Sequence, residues 1–264
     1  MHLRLITYLL LLTLSAVSSC ALRDEADLMM PSSPDKLFVE GYLSPGVPIQ
    51  LSLIRSSSLR ESLSVQLVWN AKAELVLADT AVVLQNILYR GKESIRLINY
   101  VNTYRLPTEL SGDSLRLRIV TEGGGDTLYA ATPLVEQVRI DGWELKEKMI
   151  SVSCPNSAKE DGRYYGVYLE YELEGEVKRK SEYYDYSSVQ DKQLTFQLDV
   201  PSGKRAYRLI LYRITAANYS FQRTLQQASR ASVDPFEPPV ALPTNVQGGQ
   251  GIFTYITADT LYIK

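Results

Sequence analysis

The chain has 264 residues, with 28 Lys and Arg against 30 Asp and Glu, a formal net charge of −2, one histidine and two cysteines. A strong basic excess is the electrostatic footprint of nucleic-acid binding, so its absence excludes nucleic acid as an expected partner. The one histidine stands at position 2, which leaves the folded part without a Ser-His-Asp triad, a Cys-His dyad or a histidine-held metal.

Arg4 precedes the apolar run "LITYLLLLTLSAV", and small residues lead into Cys20 in "VSSC". This reads as a signal peptide over residues 1–19, because the apolar core is too short to span a bilayer comfortably and "ALRDEAD" follows it. "VSSC" resembles the bacterial lipobox, which implies cleavage before Cys20, lipidation of its thiol and anchorage to a membrane. The alternative is a secreted chain with Cys20 as an ordinary core thiol. Each buried methylene contributes about 0.8 kcal/mol, so several acyl chains would hold the protein stably where one would not. Cys154 then remains as the single thiol, a small hydrophobe expected to be buried in the strand "MISVSC", with an intermolecular bridge as the alternative, and no internal disulfide can form. Residues 20–35, with "RDEAD" and the Pro/Ser stretch "PSSPD", read as a lipidated tether. Acidic residues close behind a lipidated cysteine resemble a surface-export signal, which favours the cell surface over the periplasmic face of an outer membrane.

From Lys36 the chain alternates in short β-type runs: "LFVEGYL", "PIQLSLIRS", "SVQLVW", "AELVLAD", "TAVVLQNILYRG", "SIRLINYVN" and "DSLRLRIVT", broken at Gly91, Pro107 and Gly123 to Gly125. About seven strands in about a hundred residues suit an immunoglobulin-like β-sandwich, predicted over 36–135. A second β-rich, sandwich-like domain is predicted over 136–264. Its hairpin turns at Glu174-Gly175, and its first arm sets Tyr165, Val167, Leu169, Tyr171 and Leu173 on one face. Further strands are "QLTFQLDV" and "RAYRLILYRIT", joined by a turn at Ser202-Gly203. One helix is predicted at about 216–230, with Thr215 as N-cap and Phe221, Leu225 and Ala228 along its apolar side. The proline-rich stretch "VDPFEPPVALPTNVQGGQG" then crosses the surface in extended form.

"NVQGGQGIF" raises the question of a phosphate cradle, but a β-type run follows it where a cradle needs a helix N-terminus. No cofactor is expected. Asn245, Gly248, Gly249 and Gly251 are read as a structural loop, the glycines permitting positive φ and close backbone approach. Among the eighteen tyrosines, Tyr164, Tyr168, Tyr183 and Tyr184 are candidates for a binding surface, with Tyr164 and Tyr168 expected to be the more exposed; the structural alternative is half-buried strand packing. The charged run "EGEVKRKSE" reads as a solvated hairpin. Catalysis would need a carboxylate pair, and the candidates Glu40, Asp141, Asp234 and Glu237 are scattered in sequence. No metal site is expected, since no loop carries the dense acidic pattern of a calcium site around Asp234. The triplets at Asp79, Asp113, Asp126 and Asp259 resemble an Asp-Ser/Thr-apolar O-glycosylation sequon, which makes Thr80, Ser114, Thr127 and Thr260 acceptor candidates.

The early "KLFVEGYLSPG" and the late "DPFEPPVALPTNVQGGQGIF" together resemble the lipoproteins of domain-of-unknown-function family 4249 from Bacteroidota. The late motif is carried by Asp234, Pro235, Phe236, Pro239, Asn245, Gly248, Gly249, Gly251 and Phe253; Gln250 stands where the family often has an apolar residue. The resemblance implies a non-enzymatic, lipid-anchored envelope protein of the outer membrane, acting as an accessory or binding partner of a TonB-dependent transporter. A stand-alone glycan- or peptide-binding module is the second expectation, and a carboxylate-dependent hydrolase the third.

Overall fold

The computed structural model describes residues 35–56, 66–77, 80–90, 96–159, 162–201, 205–234, 236–238 and 240–263. Cys20 and the turn at Ser202-Gly203 lie outside them. The described chain is mainly β, with one α-helix near its C-terminus.

The first eight strands are β1 (Leu37–Leu43), β2 (Pro48–Arg55), β3 (Gln66–Leu67), β4 (Lys72–Leu77), β5 (Thr80–Arg90), β6 (Leu97–Arg105), β7 (Ser114–Val120) and β8 (Thr127–Pro133). Their alternation delivers one apolar face each: in β1 the odd-numbered residues are buried, and in β7 Leu115, Leu117 and Ile119 are. Then come β9 (Gly142–Lys146), β10 (Met149–Pro155), β11 (Tyr164–Leu173), β12 (Glu176–Asp185), β13 (Gln193–Asp199), β14 (Arg205–Ile214), the helix α1 (Ala216–Ala231), β15 (Val246–Gln247), β16 (Gln250–Tyr255) and β17 (Thr257–Tyr262).

The immunoglobulin-like sandwich expected for 36–135 is corrected by the pairing. The strands form one sheet in the order β15-β8-β7-β4-β5-β6-β2-β1-β16, with β3 on β2. Its first and last members, β15 and β16, are consecutive in the chain and separated only by Gly248 and Gly249, so the sheet curls into a nearly closed barrel. Alternation of period two fits a sandwich and a barrel equally, because both need one buried face per strand. Only the partner of each strand tells them apart, and two of those partners come from the far end of the chain. Val39, Leu53, Ala73, Leu75, Tyr100 and Ile119 fill the interior with no exposed surface. The Tyr100 hydroxyl accepts from Ala71 N (2.9 Å) and donates to Val68 O (3.1 Å) there.

Two sheets packed face to face occur in the second half. The three-stranded β13-β10-β9 and the four-stranded β12-β11-β14-β17 enclose Ile150, Val152, Cys154, Tyr165, Val167, Leu169, Phe196, Leu209 and Leu211. Cys154 is buried there, as its strand pattern predicts, and burial pushes its thiol up to about 11. The β11–β12 hairpin turns at Glu174 (φ 55°) and Gly175 (φ 79°), the paired positive angles of a tight hairpin turn.

Helix α1 begins where the sequence places it: Thr215 is extended, and its side chain accepts from Asn218 N. Its predicted apolar side differs from the face it buries. Asn218, Phe221 and Gln222 are buried, while Leu225 is 40% exposed. The helix lies on the outer face of the four-stranded sheet, and that face is lined with tyrosine hydroxyls, so a partly polar helix face satisfies it better than an apolar one.

Candidate functional site

Strands β1 and β16 run parallel, and their register sets Glu40 opposite Ile252, Gly41 opposite Phe253 and Tyr42 opposite Thr254. The early Glu-Gly-Tyr and the late Gly-Ile-Phe are therefore neighbours in space. Asn245 holds the approach to β16: its amide nitrogen donates to Phe253 O (2.7 Å) and to Ala131 O on β8 (3.2 Å), and its side-chain oxygen accepts from Phe253 N (3.0 Å). One side chain thus bridges both margins of the barrel. A Cβ at Gly248 (φ 81°) would lie 2.5 Å from Thr127 O, one at Gly249 would collide with Leu128, and one at Gly251 (φ 111°) would collide with the Val39 carbonyl. The loop is a clasp between sheet margins, and its glycines serve the close backbone approach read from the sequence. Gly41 makes room in the same way: a Cβ there would lie 2.8 Å from Leu51 and 3.0 Å from Phe253.

The outer face of β1 leads to a polar aromatic seam. Arg96 lies over the Tyr42 ring, 4.0 Å from its centroid, and 3.4 Å from the Glu40 carboxylate. Gln222 of α1 donates to the Tyr42 hydroxyl (3.1 Å) and accepts from the Tyr183 hydroxyl (3.1 Å), which lies 2.7 Å from that of Tyr168. Burial pushes the Tyr42 phenol up to about 12 against the opposing Arg96 charge, and burial also raises Tyr183 far above the ordinary range. Tyr168 packs on Tyr212 at 4.8 Å, with Arg179 over its ring at 5.4 Å.

Three of the four candidate tyrosines, Tyr164, Tyr168 and Tyr183, face the helix. Tyr164 meets Tyr219 of α1 at 5.4 Å. The expectation that Tyr164 and Tyr168 stand exposed is corrected to half-buried, because α1 covers the sheet face that alternation alone leaves open to solvent. Tyr184 lies on the opposite, core-facing side, stacked on Tyr186 and edge-on to Phe196.

Beside this seam sits a carboxylate that sequence reading missed. Glu170 is 1% exposed; one oxygen accepts from Arg179 (2.6 Å), the other from Arg208 (2.5 Å) and from the Tyr207 hydroxyl (3.2 Å). Burial pushes its carboxyl up, but the hydrogen bonds and charges of Arg208 and Arg179 outweigh that and hold it below the usual carboxylate range. The only signal in sequence is an acidic residue on β11 one position after the core residue Leu169, which resembles an ordinary solvated position. Arg213, also buried, ties the segment leading into β9 to the sandwich: it donates to Pro155 O (2.8 Å), to the Tyr165 hydroxyl (3.2 Å) and to Gln137 O (3.4 Å).

The scattered carboxylate candidates stay apart in their bonding. Glu40 pairs with Arg96; Asp141 accepts from Ser153 and Gln193; Asp234 caps the turn after α1 by accepting from Phe236 N. Glu237 lies in that same turn, its backbone N–H donating to Asp234 O. Thr80, Ser114 and Thr260 are exposed and Thr127 half-buried. A cleft of about 350 Å³ at the clasp is lined by Lys36, Asp126, Gly248 and Gly249, and one of about 210 Å³ between barrel and sandwich by Asp113, Glu136 and Lys159. Among the described residues, no group of three or more His, Cys, Asp or Glu is placed to hold a metal, and no helix is long and apolar enough to cross a membrane.

A family model described as a domain of unknown function (DUF4249) matches residues 23–261. No curated protein matches the chain.

Proposed function

The chain belongs to the domain-of-unknown-function family DUF4249, and on that premise we propose that it is a non-enzymatic envelope lipoprotein, anchored to the outer membrane through Cys20, that acts as an accessory or binding partner of a TonB-dependent transporter. The observation that carries a partner-binding role is the β5–β6 arm. Ile87, Leu88, Tyr89 and Leu97 are all exposed on it, Leu88 by 54%, and a concentration of exposed large apolar side chains supports a protein contact. The register of the pair shifts between Asn86 and Tyr89, an irregularity of the kind that re-aims side chains. A binding role rather than catalysis is also supported by the fate of the groups whose titration the fold shifts. Glu170, Tyr42 and Tyr183 are each engaged by a structural partner, and Cys154 is buried among core residues. Thr80, Ser114, Thr127 and Thr260 are the proposed O-glycan acceptors, and the surface-facing leaflet the proposed address.

The test is a pull-down from detergent-solubilised outer membrane with wild type and Leu88→Asp. Wild type should recover a transporter and the variant at least about tenfold less, since one anchor residue in an apolar contact is worth on the order of 2 kcal/mol. Recovery of no transporter by wild type would sink the accessory reading. Equal recovery by both would move the contact off the arm.

A further inference from the structure

We propose that strand β9 is a self-association edge, through which two copies of this chain pair antiparallel about a two-fold axis at Leu145. In the three-stranded sheet β9 is an edge strand, hydrogen-bonded to β10 alone. Its register on β10 sets Trp143 opposite Val152 and Leu145 opposite Ile150. Val152 and Ile150 are core residues of the sandwich, and directly opposed residues share a sheet face. Trp143 and Leu145 therefore continue the core-facing row, yet they are 47% and 44% exposed. The row ends in solvent with two large apolar side chains, at a strand whose outer edge no other described strand occupies.

The occupant follows from charge. Glu144 and Lys146 lie on the other face of β9, 2.9 Å apart and both largely exposed. In an antiparallel pair centred on Leu145, Glu144 of each copy stands opposite Lys146 of the other, which makes two opposite-charge cross-strand pairs by symmetry. Centring on Glu144 or on Lys146 instead sets like charges face to face. A slip by one residue sets polar side chains against Trp143 and Leu145. Of these registers, the one centred on Leu145 pairs opposite charges on one face and sets Leu145 against its own copy on the other, with Trp143 opposite Glu147 at the turn beyond the strand, and it is self-complementary. The product is a continuous six-stranded sheet across two sandwiches, with Leu145 meeting its own copy on the axis and Trp143 packing diagonally beside it.

The test is sedimentation equilibrium of the full chain in density-matched detergent, over a wide concentration range. Wild type should show a monomer–dimer equilibrium. Glu144→Lys and Lys146→Glu should each weaken it about tenfold, because each converts two attractive pairs into two repulsive ones. The double variant Glu144→Lys/Lys146→Glu should restore it. Leu145→Cys should give a reducible dimer on mild oxidation, since the two-fold axis sets the two Cβ atoms about 4.5–5.5 Å apart, from which a small shift of the exposed edge strands reaches disulfide distance. All three positions are exposed, and matching thermal unfolding curves confirm that the variants fold. A wild type that stays monomeric throughout overturns the proposal, as does a dimer indifferent to the single reversals or a double variant no better than either single one.

Discussion

Glu170 shows how much one side chain can do without being part of any reaction. Its two oxygens take the charges of Arg179 and Arg208 on the strands either side of β11, so it ties three neighbouring strands at one level. Because its carboxyl is held below the ordinary value of about 4.3, it contributes stability that is fully present above that pH and lost as pH falls through the lower, folded-state value. Replacing it by Gln leaves two guanidinium groups with a neutral acceptor in place of a carboxylate, and because both arginines are partly exposed and water offsets some of the loss, the cost is about 1–2 kcal/mol. Denaturant titrations of wild type and Glu170→Gln should differ by that order at pH 7 and converge as pH drops below about 4. A gap that persists unchanged to pH 2 would show that the charge is not what Glu170 supplies. In sequence this residue looked like the neighbouring surface acids, since burial of a charge depends on arginines that sit 9 and 38 positions away.

At the scale of elements, the glycine loop and β16 were legible in type and obscure in purpose. Alternation after Gly251 announced a strand and so removed the helix that a phosphate cradle needs. That the strand would lie parallel to β1, more than two hundred positions earlier, was not written in any local pattern. Gly46 and Gly251 make a direct comparison, since both have positive φ but only Gly251 presses on another backbone. Gly46→Ala should cost about 1 kcal/mol, the conformational penalty alone. Gly251→Ala should cost several times more, because its Cβ collides with the Val39 carbonyl and β1 and β16 must part to admit it. Thermal unfolding of the two variants checks this; equal losses would mean that backbone conformation, and not the close approach, fixes this glycine. The helix was legible for a different reason. Its start depends on a local hydrogen bond from Asn218 N to the Thr215 side chain, whereas the face it buries depends on the tyrosines beneath it. Leu225 was expected inside on spacing, but Gln222 is the residue that joins Tyr42 to Tyr183.

The whole molecule is threaded so that neither half is complete alone. The chain builds eight barrel strands, then six strands of the sandwich and the helix, returns to supply β15 and β16 to the barrel, and ends with β17 in the sandwich. Non-covalent ties follow the same crossings: Thr257 Oγ1 donates to Glu136 O (2.8 Å), Tyr255 N donates to Thr132 Oγ1 (3.0 Å), and the hydroxyls of Thr215 and Thr254 lie 3.0 Å apart. Barrel and sandwich should therefore unfold in one cooperative transition, with calorimetric and van't Hoff enthalpies equal; two resolved heat-absorption peaks would refute this. By itself the sequence determined the β class, the helix near the C-terminus with its cap, the hairpin at Glu174-Gly175, the burial of Cys154 and the glycines that a close approach requires. Each of these rests on interactions within a few residues or on a two-residue alternation, which the linear order carries directly. Only the tertiary structure decided that the first sheet closes on itself, that α1 roofs the tyrosines, that Glu170 is buried and that β9 ends in solvent. Those outcomes depend on which distant strands pair, and a period of two is the same whichever neighbour lies alongside.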